Sequence, residues 1–350
     1  MRPDLLLRTG LAFAPVCLFL GSLLYIDSYQ LVRLPRLLRI IAAGAVAAVI
    51  SYFLNKRILD EMLVDYRLLT SLIAPAIEEV LKLLPVILAI RQKRIGFVID
   101  AAICGFAAGT GFALVENIYY LSAVHRPDFA FWIVRGFGTA VMHGGTTAIA
   151  AMASKALLQR RDSDSLALCV PGLVAAFAIH SLFNQFIVSP LASAIAVMAV
   201  LPPLMVLVFA QSEKHVQEWL GRGFDVDTEL LKAIGSGDFA SSRSGQYLQS
   251  LREHFDGPIV ADMLCYLRLN AELALRAKGM LMLRETGLPV PRDPETAARF
   301  AELQYLKKSM GRTGQLALTP ILRRTAHDIW QLQLLEETNG QGTDARVAVH

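Results

Sequence analysis

The hydrophobic positions of this chain fall into two regimes. Up to about residue 210 they form runs at 10–26, 38–54, 71–90, 98–122, 131–153, 166–188 and 191–210. Each is close to the roughly 20 residues that a helix needs to cross the hydrocarbon core of a bilayer, so seven transmembrane helices are expected. From Gln211 the pattern changes. Apolar residues recur at 3- and 4-residue spacing over 230–234, 247–255, 260–286, 295–310 and 318–337, which is a helical period. Pro258, Pro289, Pro291, Pro294, Gly311 and Gly314 punctuate these stretches. The expected fold class is all-α: a polytopic membrane helix bundle over 1–210 and a small helical soluble domain over 211–338. The polar, glycine-containing stretch 339–350 reads as a disordered tail.

Two short segments refine the picture. The first run lacks a small-x-small cleavage site before Tyr25-Ile26-Asp27, so it is read as a retained span and not as a signal peptide. Residues 55–67 mix Lys56, Arg57, Asp60, Glu61 and Asp65 with leucines, the composition of an amphipathic helix at the membrane surface. Tyr119, Tyr120 and Trp132 stand at span ends, where aromatic residues anchor a protein at the interface.

Charge adds an orientation and removes some partners. The 350 residues carry a net charge of +4, and residues 212–350 hold 17 Lys/Arg against 18 Asp/Glu. No basic stretch points to nucleic acid, and none is expected as a partner. One set of alternating loops holds Arg33, Arg36, Arg39, Arg91, Lys93, Arg94, Lys155, Arg160 and Arg161; the other holds Arg2, Arg8, Lys56, Arg57, Arg67 and Arg126. Nine against six places the N-terminus outside and the C-terminal domain in the cytoplasm. The four cysteines, Cys17, Cys104, Cys169 and Cys265, include no C-x-x-C pair. They indicate neither a disulfide framework nor a cysteine-ligated zinc.

Candidate chemistry lies inside the spans. Glu78, Glu79 and Lys82 are in the third, Glu116 and Asn117 in the fourth, His143 in the fifth, and His180 and Asn184 in the sixth. An ionisable side chain in a span is costly and by default marks function. Because consecutive spans alternate direction, Glu78, Glu79, Glu116, His143 and His180 all lie roughly 9–18 Å below the same face at 1.5 Å per residue. The orientation above makes that the outer face. Lys82 is four residues from Glu78 and three from Glu79, so it can share their helix face. Two adjacent carboxylates beside an ammonium are the makings of a general base. His180 and Asn184 stand at i, i+4, from where Asn184 could fix the imidazole tautomer or bind an oxyanion. Phe112 and Glu116 have the same spacing. Gly105, Gly109, Gly111, Gly144 and Gly145 would let the helices approach closely.

At these residues the chain resembles a known family, the PrsW-type glutamic intramembrane proteases, which are related to the type II CAAX prenyl proteases. Glu78-Glu79-Val80-Leu81-Lys82 is similar to their E-E-x-x-K motif, and Phe112 to Asn117 to F-x-x-x-E-N. His143 with Gly144-Gly145-Thr146, and His180 to Asn184, resemble the third and fourth motifs. The resemblance covers about 65–210. It implies peptide-bond hydrolysis in or beside the membrane, with Glu78 or Glu79 activating water. It further implies that His180 and Asn184 stabilise the oxyanion and that His143 orients the water or protonates the leaving amine. Lys82, Phe112, Glu116 and Asn117 support them. No cofactor is expected on that reading. The substrate would be a single-span membrane protein such as an anti-sigma factor, and the location a bacterial inner membrane.

Three rival readings use the same residues. Two histidines and a carboxylate (Glu79, His143 and His180) also match a zinc site with an open position. Glu, His and Lys within spans are equally the parts of a proton relay or ion-coupled transporter. A sensor would use the bundle to position the helical domain for a cytoplasmic partner or for self-association.

Overall fold

The computed structural model describes residues 3–61, 64–124, 128–161, 163–185, 187–291, 293–322 and 325–347. Among them the only regular structure is helical. The chain divides into two compact units, Met1–Glu213 and Lys214–His350.

The first unit is the bundle. Its helices are α1 (Pro3–Ile26), α2 (Leu34–Glu61), α3 (66–91), α4 (Val98–Ala123), α5 (129–161), α6 (Leu166–Asn184) and the start of α7 (Pro190–Ser236). Five of these, α1, α2, α4, α6 and α7, are long and apolar enough to cross a membrane by length and composition. The other two, α3 and α5, coincide with the expected spans 71–90 and 131–153. They are the helices that carry Glu78, Glu79, Lys82, Arg135 and His143. Each also contains a π-helical segment, Leu69–Ile73 in α3 and Val134–Ala140 in α5. Such widened turns recur at functional sites.

α4 is the axis of the bundle. In its most apolar window 83% of residues are buried, against about a third or less in α1, α2, α6 and α7. It packs on α1, α2, α3 and α5, and its small residues are the reason it can. A Cβ on Gly111 would meet the Ile41 carbonyl at 1.9 Å, and one on Gly44 of α2 would meet the Ala108 carbonyl at the same distance. Towards α5, a Cβ on Gly109 would lie 2.2 Å from the carbonyl oxygen of His143. Gly109 therefore sets how near the His143 backbone can come. The outer helices turn Leu18, Val46, Phe53, Leu182, Ile195 and Leu207 outward. Such an apolar belt suits lipid, where only helices with their own backbone bonds satisfied are stable.

The end of the bundle away from the motif residues is closed by charged side chains. Arg36 donates to the carbonyl of Arg94, and Lys155 Nζ to that of Ile95 at 2.9 Å. The Asp100 carboxylate accepts from the amides of Gly96 and Phe97 at 2.9 and 3.3 Å. All three side chains are buried, and together they clamp the 92–97 loop.

Two expectations about this unit are corrected. Residues 55–67 do not make a helix of their own: the first seven extend α2, and Asp65 caps α3 by accepting from the amides of Arg67 and Leu68. Trp132 is not an interface anchor but is 1% exposed, edge-on to Phe131. The four cysteines are free.

In the second unit, α7 continues to Ser236 and is followed by α8 (Arg243–Ser250), α9 (Gly257–Glu285), α10 (Glu295–Ser309), α11 (Gly311–Ala317), α12 (Thr319–Leu322) and α13 (Ala326–Val347). Here α9 packs on α10 and α13. Lys278 of α9 is buried against Asp227 and the Gly223 carbonyl, beneath the Trp219 ring. The backbone of α13 is helical to Val347, into the stretch read as disordered; residues 348–350 lie outside the described ones, as do Arg2 and Arg126 of the loop-charge count.

Candidate active site

Four helices converge on one buried network. Glu79 of α3 is its hub. One oxygen, Oε1, accepts from Lys82 Nζ at 2.6 Å, from Thr146 Oγ1 of α5 at 3.1 Å, and from His180 Nδ1 of α6 at 2.7 Å. Lys82 is fully buried and Glu79 is 1% exposed. The second oxygen, Oε2, is buried and has no hydrogen bond among the described residues. The pair can exist in an apolar interior because each charge has the other plus further polar contacts.

From Lys82 the network continues to His143 of α5, whose Nδ1 is 3.1 Å from Nζ, and on to Glu116 of α4, whose Oε2 is 2.9 Å from His143 Nε2. Charge fixes the protons here. An ammonium only donates, so Nδ1 accepts, and the imidazole proton sits on Nε2 facing Glu116. For His180 the logic reverses. Its Nδ1–H donates to Glu79, leaving the Nε2 lone pair directed at Glu78 Oε2, 3.7 Å away. That separation is too long for a direct hydrogen bond and suits two groups sharing a third atom between them.

Glu78 and Glu116 are the carboxylates with access from outside the network, their side chains 15% and 26% exposed. One ligand atom from each of Glu78, His143 and His180 lies within 4.8 Å of the others. This carboxylate–imidazole–imidazole set is the kind that holds zinc, and the Glu79 bond to His180 Nδ1 is the orienting contact that a ligating histidine requires. The sequence named Glu79 as the ligand of that set. The structure groups Glu78 with the two histidines instead: Glu79 meets His180 through Nδ1, whereas Glu78 faces its Nε2.

Phe112 packs against the His143 ring, 5.0 Å between centroids, and under Lys82 Nζ at 5.1 Å. The two imidazoles meet edge to face at 4.8 Å. Asn184 and Asn117 stand apart from this centre. Asn184 Nδ2 donates to the Thr70 carbonyl at 3.0 Å, and Ser181 Oγ to that of Ser71 at 2.6 Å. Both tie α6 to the π segment of α3, where widened turns leave carbonyls free. Asn117 bridges the Ala12 carbonyl and Arg135.

Sequence reasoning passed over Thr146 and Arg135. Arg135 is a charge inside an expected span, the very signal that identified the others. It lies four residues from the span's end, where the long side chain of an arginine can reach the interface. Thr146 lies three residues after His143, on the same helix face, but a hydroxyl carries no such cost to mark it.

Comparison with protein-family models matches residues 33–210 to the one described as PrsW family intramembrane metalloprotease. No match was found among curated proteins or among solved structures.

Proposed function

The chain belongs to the PrsW family and is a membrane peptidase; from that premise we propose that Glu78, His143 and His180 form a divalent-metal centre, zinc being the metal that suits them, which hydrolyses a peptide bond of a membrane protein. The observation that carries this reading is the convergence of their three ligand atoms within 4.8 Å. A metal held there would polarise the scissile carbonyl and make water a nucleophile near neutral pH.

The chain's own residues supply the remainder. Glu79 keeps the His180 proton on Nδ1 and its Nε2 lone pair free. Lys82 compensates the Glu79 charge. Glu116, with its access from outside, is positioned to pass a proton to the leaving amine. Glu79 Oε2 retains an unused lone pair for a proton donor such as the attacking water. The substrate is a single-span membrane protein of the anti-sigma-factor type, cut in the outer half of a bacterial inner membrane, with the helical unit on the cytoplasmic side.

One observation favours a second, metal-free reading. The 3.1 Å contact of Lys82 Nζ with His143 Nδ1 puts the other proton on Nε2, so His143 must give up Glu116 before it can ligate. In that version Glu78 alone activates the water, and the two imidazoles bind and protonate the substrate.

Both readings share a first test. Wild type, the Glu78→Ala/Glu79→Ala pair and His180→Ala are expressed at equal levels, and new protein termini in the membrane fraction are mapped by mass spectrometry. Termini present with wild type and absent with both variants are expected; identical termini in all three would reject the peptidase. On purified protein, loss of cleavage with 1,10-phenanthroline and recovery on adding zinc select the metal reading. Indifference to the chelator, in protein free of metal by elemental analysis, selects the glutamate reading.

A further inference from the structure

We propose that Arg135 is a positioning residue of the catalytic centre, acting through Glu116 on His143; its relevance to cleavage rests on the peptidase reading above. Arg135 lies in the π segment of α5, two turns before His143 on the same helix, and is 8% exposed. Its guanidinium grips both oxygens of Glu116, Nη1 on Oε1 at 3.3 Å and Nη2 on Oε2 at 2.9 Å. It also donates twice to Asn117 Oδ1, from Nε at 3.1 Å and Nη2 at 2.9 Å, and stacks 4.1 Å from the Tyr120 ring centroid. Asn117 in turn is fastened to α1 through the Ala12 carbonyl at 2.7 Å. Each guanidinium nitrogen thus meets one or both of two consecutive side chains of α4, and the face lies on a third residue one turn further along.

The planar fork is what this geometry uses. Lysine offers a point charge and could not hold both Glu116 oxygens while bonding Asn117. The result is a fixed carboxylate whose Oε2 faces His143 Nε2 at 2.9 Å. Without Arg135, Glu116 would be free to rotate out through its exposed side, and the His143 ring nitrogens would keep only the Lys82 hydrogen bond. The charges agree. Glu78, Glu79 and Glu116 face Lys82 and Arg135, three carboxylates against two cations. Arg135 thereby brings the cluster to within one positive charge, or one proton, of neutrality.

The test uses the full-length chain in detergent, stripped of metal and labelled with 15N-histidine, with His143→Gln to assign the resonance. In wild type the His143 ring is expected as the Nε2–H form with a strongly hydrogen-bonded proton. Arg135→Gln should lose that proton signal, and Arg135→Lys should recover it only in part. An unchanged His143 spectrum in Arg135→Gln overturns the proposal whether or not the protein is a peptidase. In cells, Arg135→Gln should cut the rate of new termini by about tenfold or more. Adding Glu116→Gln to it should cost little further, because the two act as one unit. Full cleavage by Arg135→Gln, or losses that simply multiply in the double variant, would sink the role in catalysis. Absent cleavage by wild type would count against the peptidase reading alone and leave the spectra to decide the Arg135 link.

Discussion

The bundle buries charge at both ends, and the two ends use it differently. At the end of the 92–97 loop Arg36, Asp100 and Lys155 spend themselves on backbone groups of that loop: two carbonyls receive the cations, and two amides reach the carboxylate. At the end of the motif residues Glu79, Lys82, His143, Glu116 and His180 bond mainly to one another, and Glu78 and Glu116 keep a route outward. A charge closed onto backbone fixes a conformation. A charge closed onto other side chains can move a proton or hold a ligand. Arg36, Asp100 and Lys155 are buried, and so are Glu79, Lys82, His143 and His180; the partners separate the two clusters.

Substitutions can break this contrast, the largest effect coming first. Glu78→Gln keeps the shape but removes the carboxylate that faces the His180 lone pair. Cleavage should fall by about a thousandfold or more with the unfolding temperature little changed, as a group acting on the reacting atoms would give; retained cleavage would move the chemistry elsewhere. Lys155→Met should do the opposite. It leaves the Ile95 carbonyl without its donor and should cost about 2–4 kcal/mol, read as a lower thermal midpoint in detergent, while cleavage per folded molecule stays at the wild-type rate. A selective loss of cleavage there would erase the distinction between the two ends.

Asn184→Ala sharpens the boundary of the Glu79 cluster. With its amide on the Thr70 carbonyl, the expected cost is about 1 kcal/mol of stability and a less than tenfold drop in rate. A loss of about 10²–10³ in rate would mean that the amide serves an oxyanion. The smallest effect is expected at the exposed pair of Lys93 and Asp164, which joins two loops at 2.6 Å. The Lys93 hydrogen bond holds the Asp164 carboxyl below its usual range. Its contribution is therefore present above the ordinary aspartate pKa of about 4 and fades as pH falls through the lowered value. Asp164→Asn should flatten that acid limb by no more than about 1 kcal/mol.

The sequence disclosed the cluster of motif residues better than the one at the 92–97 loop, for a physical reason. Glu78, Glu79, Glu116, His143 and His180 interrupt apolar runs near their middles, where a polar side chain has no bland explanation. Arg36, Asp100 and Lys155 sit near span ends, where charge is ordinary, so their burial shows only in three dimensions. The same limit hid Arg135. The division of labour between the adjacent glutamates was not legible either. Residues 78 and 79 differ by 100° around the helix, and only the packing of α3 on α5 and α6 decides which faces Lys82 and His180. Asn184 shares its spacing with His180, yet the widened turn of α3 draws it to Thr70. No hydropathy pattern announces a π segment.

Those widened turns have a consequence for how this chain can vary. Each π segment holds one residue more than a regular helix needs, so removing one residue from Leu69–Ile73 would restore an ordinary ladder. Everything from Ala74 onward could stay in phase with the rest of the bundle, while the turn before it would rotate by about 100°. The same holds for Val134–Ala140 and the short helical turn ahead of it. The N-terminal ends of α3 and α5 can thus be re-aimed by single-codon insertions or deletions that leave the network beyond them in register. A lineage could change what meets the mouth of this centre without rebuilding the centre.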